Sequence, residues 1–231
     1  MNIDAAYYKS VSPWVENLSF DWEPFSTIGS QISVAKDQPI FLQEHSNDYV
    51  YIIVEGRIRL FLSSPLGEEK HIAIIGKNGL IGESRLPSDN TYSCSATASS
   101  ASKLIKVPSR QFHNLLSKNA EMTEQVLSIG AIKFRIMAMH ILQLSFTSAM
   151  QRISLSLMQL ALTYGEQQGD RFFVQLQFTH QEMANLVGTS RVTVANTINL
   201  LQNAGVISKA NGIYIIEDMV KLTEYIEHDI S

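Results

Sequence analysis

Residues 178–198 read Phe-Thr-His-Gln-Glu-Met-Ala-Asn-Leu-Val-Gly-Thr-Ser-Arg-Val-Thr-Val-Ala-Asn-Thr-Ile. The side chains in this order suit the reading of hydrogen-bonding edges more than the making of bonds. The guanidinium of Arg191 can donate twice to O6 and N7 of guanine, and the Asn196 amide can pair with adenine or hold a phosphate. Val192 offers only apolar surface, which a thymine methyl matches. Thr179, Gln181, Ser190 and Thr193 fall at the starts of two helical runs, where free backbone N–H groups and short polar side chains position phosphates. The chemistry implied is non-covalent recognition of a duplex.

Two helices must present these groups. Thr179 can cap a first helix whose inner face is Met183, Ala184 and Val187. Small Ala184 lets a second helix cross closely, and Gly188 can take the positive φ that ends the first. Ser190 then caps a second helix with Val194, Ile198 and Leu201 inward, leaving Arg191, Val192, Thr193, Asn196 and Thr197 outward. That arrangement is a helix-turn-helix with its second helix aimed at a major groove. Asn211-Gly212, between Val206-Ile207-Ser208 and Ile213-Tyr214-Ile215-Ile216, is a type I′ hairpin signal and supplies a wing. A helical hairpin used for protein contact is the competing reading, and the wing argues against it. Between Phe178 and Tyr214 the only formal cations are Arg191 and Lys209, and Glu224, Glu227 and Asp229 acidify the tail. With a net charge of −4, duplex binding must be local, and tight non-specific binding is not expected.

Upstream the periodicity differs. Over residues 25–110, Tyr49 to Val54, Arg57 to Leu62 and His71 to Ile75 read as short strands, punctuated by Glu55-Gly56, Ser63 to Gly67, Gly76 and Asn78-Gly79. Many short strands with such turns predict a sandwich or barrel-like roll. From Ser117 to Thr147, Met122, Val126, Ile129, Ile132, Ile136, Met139, Gln143 and Phe146 recur at three- and four-residue steps, a heptad-like seam. Leu127, Phe134, Met137 and Ile141 form a second apolar flank. A helix apolar on two sides needs two partners: the roll, and the same helix of a second subunit. Burial on both sides within one monomer is the alternative. Gly130, mid-helix, costs roughly 1 kcal/mol against alanine and permits a close approach. Residues 153–164 read as a further helix, 165–169 as a loop and 171–176 as a strand.

At 231 residues with 45% hydrophobic and 17% charged positions, the chain fits two domains with real cores. A single cysteine, Cys94, excludes an intrachain disulfide framework and a multi-cysteine metal cluster. The first twenty residues lack the features of a signal peptide, and no uninterrupted apolar run reaches roughly 18 residues. No membrane span and a cytoplasmic location are expected. The expected class is α+β, with a sensing β-domain over residues 1–116, a long dimerisation helix over 117–147 and a winged helix-turn-helix over 148–231.

Val54-Glu55-Gly56-Arg57-Ile58, Leu80-Ile81-Gly82-Glu83, the long helix, Gln151-Arg152-Ile153 and the helix-turn-helix together resemble the Crp/Fnr regulators, from about residue 25 to 216. The resemblance implies a cyclic-nucleotide-binding-type β-roll, a homodimer joined through the long helix, a palindromic operator in double-stranded DNA, and RNA polymerase as a partner. It implies an effector that shifts the DNA-binding domains into register with two half-sites. In the cyclic-AMP-binding members a Gly-Glu pair holds the ribose, and Gly82 and Glu83 match it. The Arg-Ser pair that holds the phosphate falls on Tyr92-Ser93, and the Thr-Ser pair that meets adenine falls on Met137-Ala138. Without its guanidinium a cyclic phosphate loses a charge-assisted pair, roughly 1.5–3 kcal/mol, which argues against cyclic AMP.

The cysteine cluster of the iron–sulfur members is missing from this sequence. His71, His113 and His140 stand singly, as packed histidines do more often than haem ligands, and no cofactor or metal is expected. Cys94 is a redox switch or simply a packed thiol. A closer similarity is to the halophenol-sensing regulators of organohalide respiration. It rests on Leu80-Ile81-Gly82, a short Pro87-to-Asn90 loop and the run Tyr92 to Ala98. That likeness implies that Lys133 pairs with a phenolate or carboxylate while Tyr92, Phe134 and Met137 wall the site; a snorkelling or ion-paired Lys133 is the bland alternative. A cupin-like metal enzyme would need clustered histidines, and His45 and His71 lie too far apart in the chain. A roll filled by its own side chains would make a constitutive DNA binder.

Overall fold

The computed structural model describes residues 5–83 and 90–227. Of the Pro87-to-Asn90 loop only Asn90 therefore lies within the described residues, and Asp229 lies outside them. Two compact units emerge: Pro13–Ile136, and Met137–Ser231 together with Met1–Ser12.

Helix α1 (Ala5–Ser10) opens the chain and belongs with the second unit. The first unit then runs β1 (Trp14–Val15), α2 (Glu23–Ser26), β2 (Ser30–Val34), β3 (Pro39–Phe41), β4 (Tyr49–Glu55) and β5 (Ile58–Ser63). It continues with β6 (Glu69–Ile75), β7 (Leu80–Ile81), β8 (Ser95–Ala98), β9 (Ser102–Pro108), α3 (Ser109–Leu116) and the first half of α4 (Ala120–Phe146). The strands form two sheets, ordered β1-β6-β5-β8-β3 and β2-β9-β4-β7. All pairs are antiparallel except β1 on β6, where Trp14 faces Ile74. Alternation along β4 explains its unbroken apolar run. Tyr51 and Ile53 enter a core with Phe41, Leu60, Ile75 and Leu104. Val50 and Ile52 enter another under Trp22 and Phe25, Phe112 of α3, and Met122 and Ile129 of α4. A strand covered on both faces loses its polar alternation.

Helix α4 resolves its two flanks differently. Met122, Ile129 and Ile136 are buried in the roll unit. The other flank lies open in the single chain: Leu127 is 69% exposed, Phe134 70% and Ile141 67%, with Met137, Leu144 and Phe146 also exposed. Burial on both sides within one monomer is therefore not what this helix does. The row of Met122 turns to the roll, so the seam left for another helix is the one through Leu127, Phe134 and Ile141. By length and composition alone α4 could also cross a membrane. Its apolarity follows from carrying two apolar faces, and Lys133 and Arg135 interrupt it.

The second unit continues with α5 (Ala149–Tyr164), β10 (Gly165–Gln168), β11 (Arg171–Val174), α6 (His180–Val187), α7 (Arg191–Asn203), β12 (Ile207–Ala210), β13 (Ile213–Ile216) and α8 (Met219–Glu227). Ser148 and Gln151 cap α5 reciprocally, and α1, α6, α7 and α8 pack against it. The sheet order is β10-β11-β13-β12, all antiparallel. The stretch 165–169 expected as a loop is mostly strand, because Gly165 to Gln168 pair with Arg171 to Val174 in a hairpin.

Candidate functional site

The helix-turn-helix is fastened at three points. Thr179 Oγ1 accepts from Glu182 N at 3.1 Å while Glu182 Oε2 accepts from Thr179 N at 2.7 Å, a capping box that fixes the start of α6. Gly188 ends α6 at φ 72°, a left-handed geometry that favours glycine. Arg152 of α5 then reaches across: its Nε donates to Val187 O at 2.8 Å and its Nη2 to Gly188 O at 3.2 Å. Sequence reasoning named Arg152 only as part of a motif. Its role as a lid on the carbonyls that end α6 needed the fold to bring residues 152 and 187 together.

Ser190 caps α7: its Oγ accepts from Thr193 N at 3.0 Å and lies 2.9 Å from Thr193 Oγ1. Gln181 donates to Asn185 Oδ1 at 2.7 Å. With Val194, Ile198 and Leu201 buried, the face turned to solvent carries Arg191, Val192 at 67% exposure, and Asn196. Thr193 is half-buried. One residue departs from expectation: Thr197 is 5% exposed and packs inward, because it lies beside Ile198 and one turn from Val194 and Leu201. Asn199 takes the outward place instead. Its three-residue step from Asn196 could have shown this.

The wing closes on α6 through Tyr214 of β13. Phe178 stacks on its ring at 5.1 Å, His180 Nε2 lies 3.2 Å from its hydroxyl, and Lys209 Nζ sits 4.6 Å above the ring. Asn211 and Gly212 take positive φ at the hairpin tip, as a type I′ turn requires. Burial, followed by the charges of Lys209 and Arg191, holds the His180 imidazole below its ordinary pKa.

In the roll unit, Gly82 has φ +79°, and a Cβ there would sit 3.1 Å from Tyr49 O and 3.2 Å from Tyr92 Cε1. Asn47 Nδ2 donates to Gly82 O at 2.9 Å and Ser109 Oγ to Asn47 Oδ1 at 2.8 Å, tying the turn to the start of α3. Glu83 is engaged from within the chain. Lys133 Nζ lies 2.5 Å from Glu83 Oε1 and 2.7 Å from Leu80 O, with both side chains largely buried. Tyr92 lies under the Gly82 turn, stacked on Phe41 at 4.0 Å, its hydroxyl donating to Tyr49 O at 2.8 Å. Burial pushes the Tyr51 and Tyr92 phenols up, so both stay neutral at physiological pH. Ser93 is exposed. Phe134 and Met137 do not wall Lys133 in the single chain; they stand on the open flank of α4, 70% and 42% exposed. Lys133 and Glu83 are fifty residues apart, so nothing local in the sequence announced their pairing.

Cys94 neighbours this ion pair, yet burial raises its thiol to about 11, which leaves it protonated and a poor redox nucleophile. His71 is buried with Nε2 3.3 Å from Glu69 Oε2, and His113 Nδ1 lies 2.6 Å from Ser109 O. Among the described residues no three His, Cys, Asp or Glu side chains gather as a metal site.

Two family models match the chain: a cyclic nucleotide-binding domain over residues 31–119 and a Crp-like helix-turn-helix domain over residues 151–225. A CRP-like cAMP-activated global transcriptional regulator of Mycobacterium tuberculosis is 26% identical over 191 residues, covering 83% of this chain and 85% of that protein. The cyclic AMP receptor protein of Thermus thermophilus is 28% identical over 187 residues, 81% of this chain and 83% of that one. Among solved structures, a CooA mutant from Carboxydothermus hydrogenoformans superposes with a TM-score of 0.77 at 18% identity, over 90% of this chain and 93% of that one. The sensing roll, the long helix and the helix-turn-helix thus occur together and in the same order, and the chain belongs to the Crp/Fnr family of DNA-binding transcription regulators.

Proposed function

We propose that the protein acts in the cytoplasm as a homodimer on a palindromic operator, controlled by a small effector other than cyclic AMP bound between roll and long helix. In this reading residues 1–116 sense, 117–147 join the subunits and 148–231 bind DNA. The open face of α7 carries the DNA reading: Arg191, Val192 and Asn196 stand outward on a helix anchored behind them by Val194, Ile198 and Leu201. Thr179, Gln181, Ser190 and Thr193 sit at the two helix starts, suited to phosphates. The open heptad row of α4 supports the dimer.

The effector reading rests on Lys133. The carboxylate that would receive a ribose diol, Glu83, is held by Lys133 instead, and the phosphate-binding guanidinium is replaced by Tyr92-Ser93. A ligand with its own carboxylate or phenolate would compete with Glu83 for the Lys133 ammonium, while Tyr92, 4% exposed and stacked on Phe41, packs under the Gly82 turn. A second reading has its own support: Phe41, Tyr51 and Tyr92 pack within the roll, as in a constitutive binder.

Arg191→Ala should weaken specific operator binding by about 1–3 kcal/mol in a mobility-shift titration; unchanged specific affinity would remove Arg191 from base reading. For the effector, melting curves are measured with cyclic AMP and with a panel of small aromatic acids and phenols. The proposal expects no shift with cyclic AMP and a rise with an anionic aromatic. A rise with cyclic AMP overturns the exclusion, and no shift with any compound favours the constitutive reading.

A further inference from the structure

The recognition helix is nearly devoid of charge. Across α7, Arg191 is the only ionisable side chain, and the exposed residues after it are Val192, Asn196, Asn199, Leu200 and Asn203. Val192, Asn196, Asn199 and Asn203 step by four, three and four, so they form one row on a helix of 3.6 residues per turn, with Leu200 beside it. Behind the row, Val194, Thr197, Ile198 and Leu201 are buried, which fixes the rotation of the helix. The hydroxyls of Ser190 and Thr193 satisfy the helix start and each other. They are therefore less available for reading base edges than for meeting a phosphate at the helix start.

This row can ask only some questions of a major groove. An asparagine amide pairs bidentately with N7 and N6 of adenine, and a valine fits a thymine methyl. Cytosine is best recognised from its own side by a carboxylate accepting from its N4 amino group; α7 has none, and an asparagine Oδ1 accepts there through one bond only, leaving its NH2 unpaired, whereas on adenine both ends are used. Recognition of guanine is strongest from Arg or Lys, and only Arg191 offers that. From Arg191 to Asn199 the helix rises about 12 Å, which spans at most roughly three to four base-pair steps at 3.4 Å each, and fewer where α7 crosses the groove at an angle.

We infer that each half-site read by this protein has a core of about four base pairs, with A·T pairs facing Val192, Asn196 and Asn199 and a single G·C pair at the Arg191 end. The inference rests on α7 being the base-reading helix, as proposed above, and adds what that helix selects. Asn199 becomes a specificity-determining residue.

Selection from a library of duplexes randomised in both half-sites, with the full-length protein at low ionic strength, tests this. An effector shifts the population of competent dimers and leaves the base contacts of α7 as they are, so high protein concentration reports the preference without it. The expected result is enrichment of A·T at the three positions and G·C at one. Asn196→Ala and Asn199→Ala should each flatten the preference for adenine at one position, by about ten-fold. Val192→Glu should acquire a preference for cytosine that the parent lacks. All three positions are exposed, and melting curves matching the parent will show that the variants fold. Enrichment of G·C opposite Val192 or Asn196 overturns this inference and leaves the DNA-binding reading intact. Salt-sensitive retention of all duplexes alike, or no retention at any protein concentration, overturns both.

Discussion

Arg152 supplies what α6 cannot supply for itself. The last carbonyls of a helix have no partners within it, and Arg152 of α5 covers Val187 O and Gly188 O from a different helix. Arg152→Met should therefore destabilise the DNA-binding unit by about 1.5–3 kcal/mol, the worth of hydrogen bonds to a charged group, measured by urea unfolding. The Lys133–Glu83 pair makes a sharper test. Removing one member of a buried pair strands the other, at about 3–5 kcal/mol, whereas replacing both is far milder. Lys133→Met should fall in that range, and adding Glu83→Gln should recover most of the loss; a double-mutant loss equal to the sum of the two single losses would mean that the two groups are independent. His71 sets a pH dependence. Burial depresses its pKa in the folded chain, against the weaker pull of Glu69. The unfolded chain then takes up a proton that the native one refuses, so stability holds above the ordinary histidine value near 6.5 and falls as the pH drops below it. Unfolding titrations from pH 8 to 5 should show that decline, and His71→Gln should reduce it.

Helix α4 shows where periodicity informs and where it stops. Its two apolar flanks could be counted in the sequence, but which one meets the roll could not, because both repeat at helical spacing. The choice is made by α2, α3 and β9, whose Phe25, Phe112 and Val107 form a socket for Met122 and Ile129. The remaining row, Leu127, Phe134 and Ile141, repeats every seven residues, and Gly130 beside it has nothing within 4 Å of where its Cβ would be. Phe134→Glu with Ile141→Glu should yield a monomer in light scattering while the fold of each unit persists by circular dichroism. The helix-turn-helix was more legible, since Thr179, Gly188 and Ser190 act locally at helix ends. Thr197 was misplaced because one residue of rotation separates the buried row from the open one. The two-residue strand β1 and the helices α1 and α2 left no periodic trace, and they exist through partners far along the chain, such as Ile74 for Trp14.

At the scale of the molecule, 22 acidic residues outnumber 18 basic ones, and from Phe178 to Tyr214 the only lysine or arginine residues are Arg191 and Lys209. A dimer therefore brings about four such cations to the duplex, and the logarithm of affinity should fall against the logarithm of salt with a slope of about −4 or shallower. A much steeper slope in a filter-binding series would place further lysines or arginines on the phosphates. The backbone, meanwhile, passes between the units twice, at Ser12/Pro13 and at Ile136/Met137. Helix α1 lies on α5, where Gln159 Nε2 donates to Tyr8 O at 3.3 Å, while two residues past the first crossing β1 zips onto β6. The sensing half and the DNA-reading half are consequently laced by a second thread besides the long helix. Without its first twelve residues the chain would leave part of α5 uncovered and keep the long helix as the one covalent link between the units.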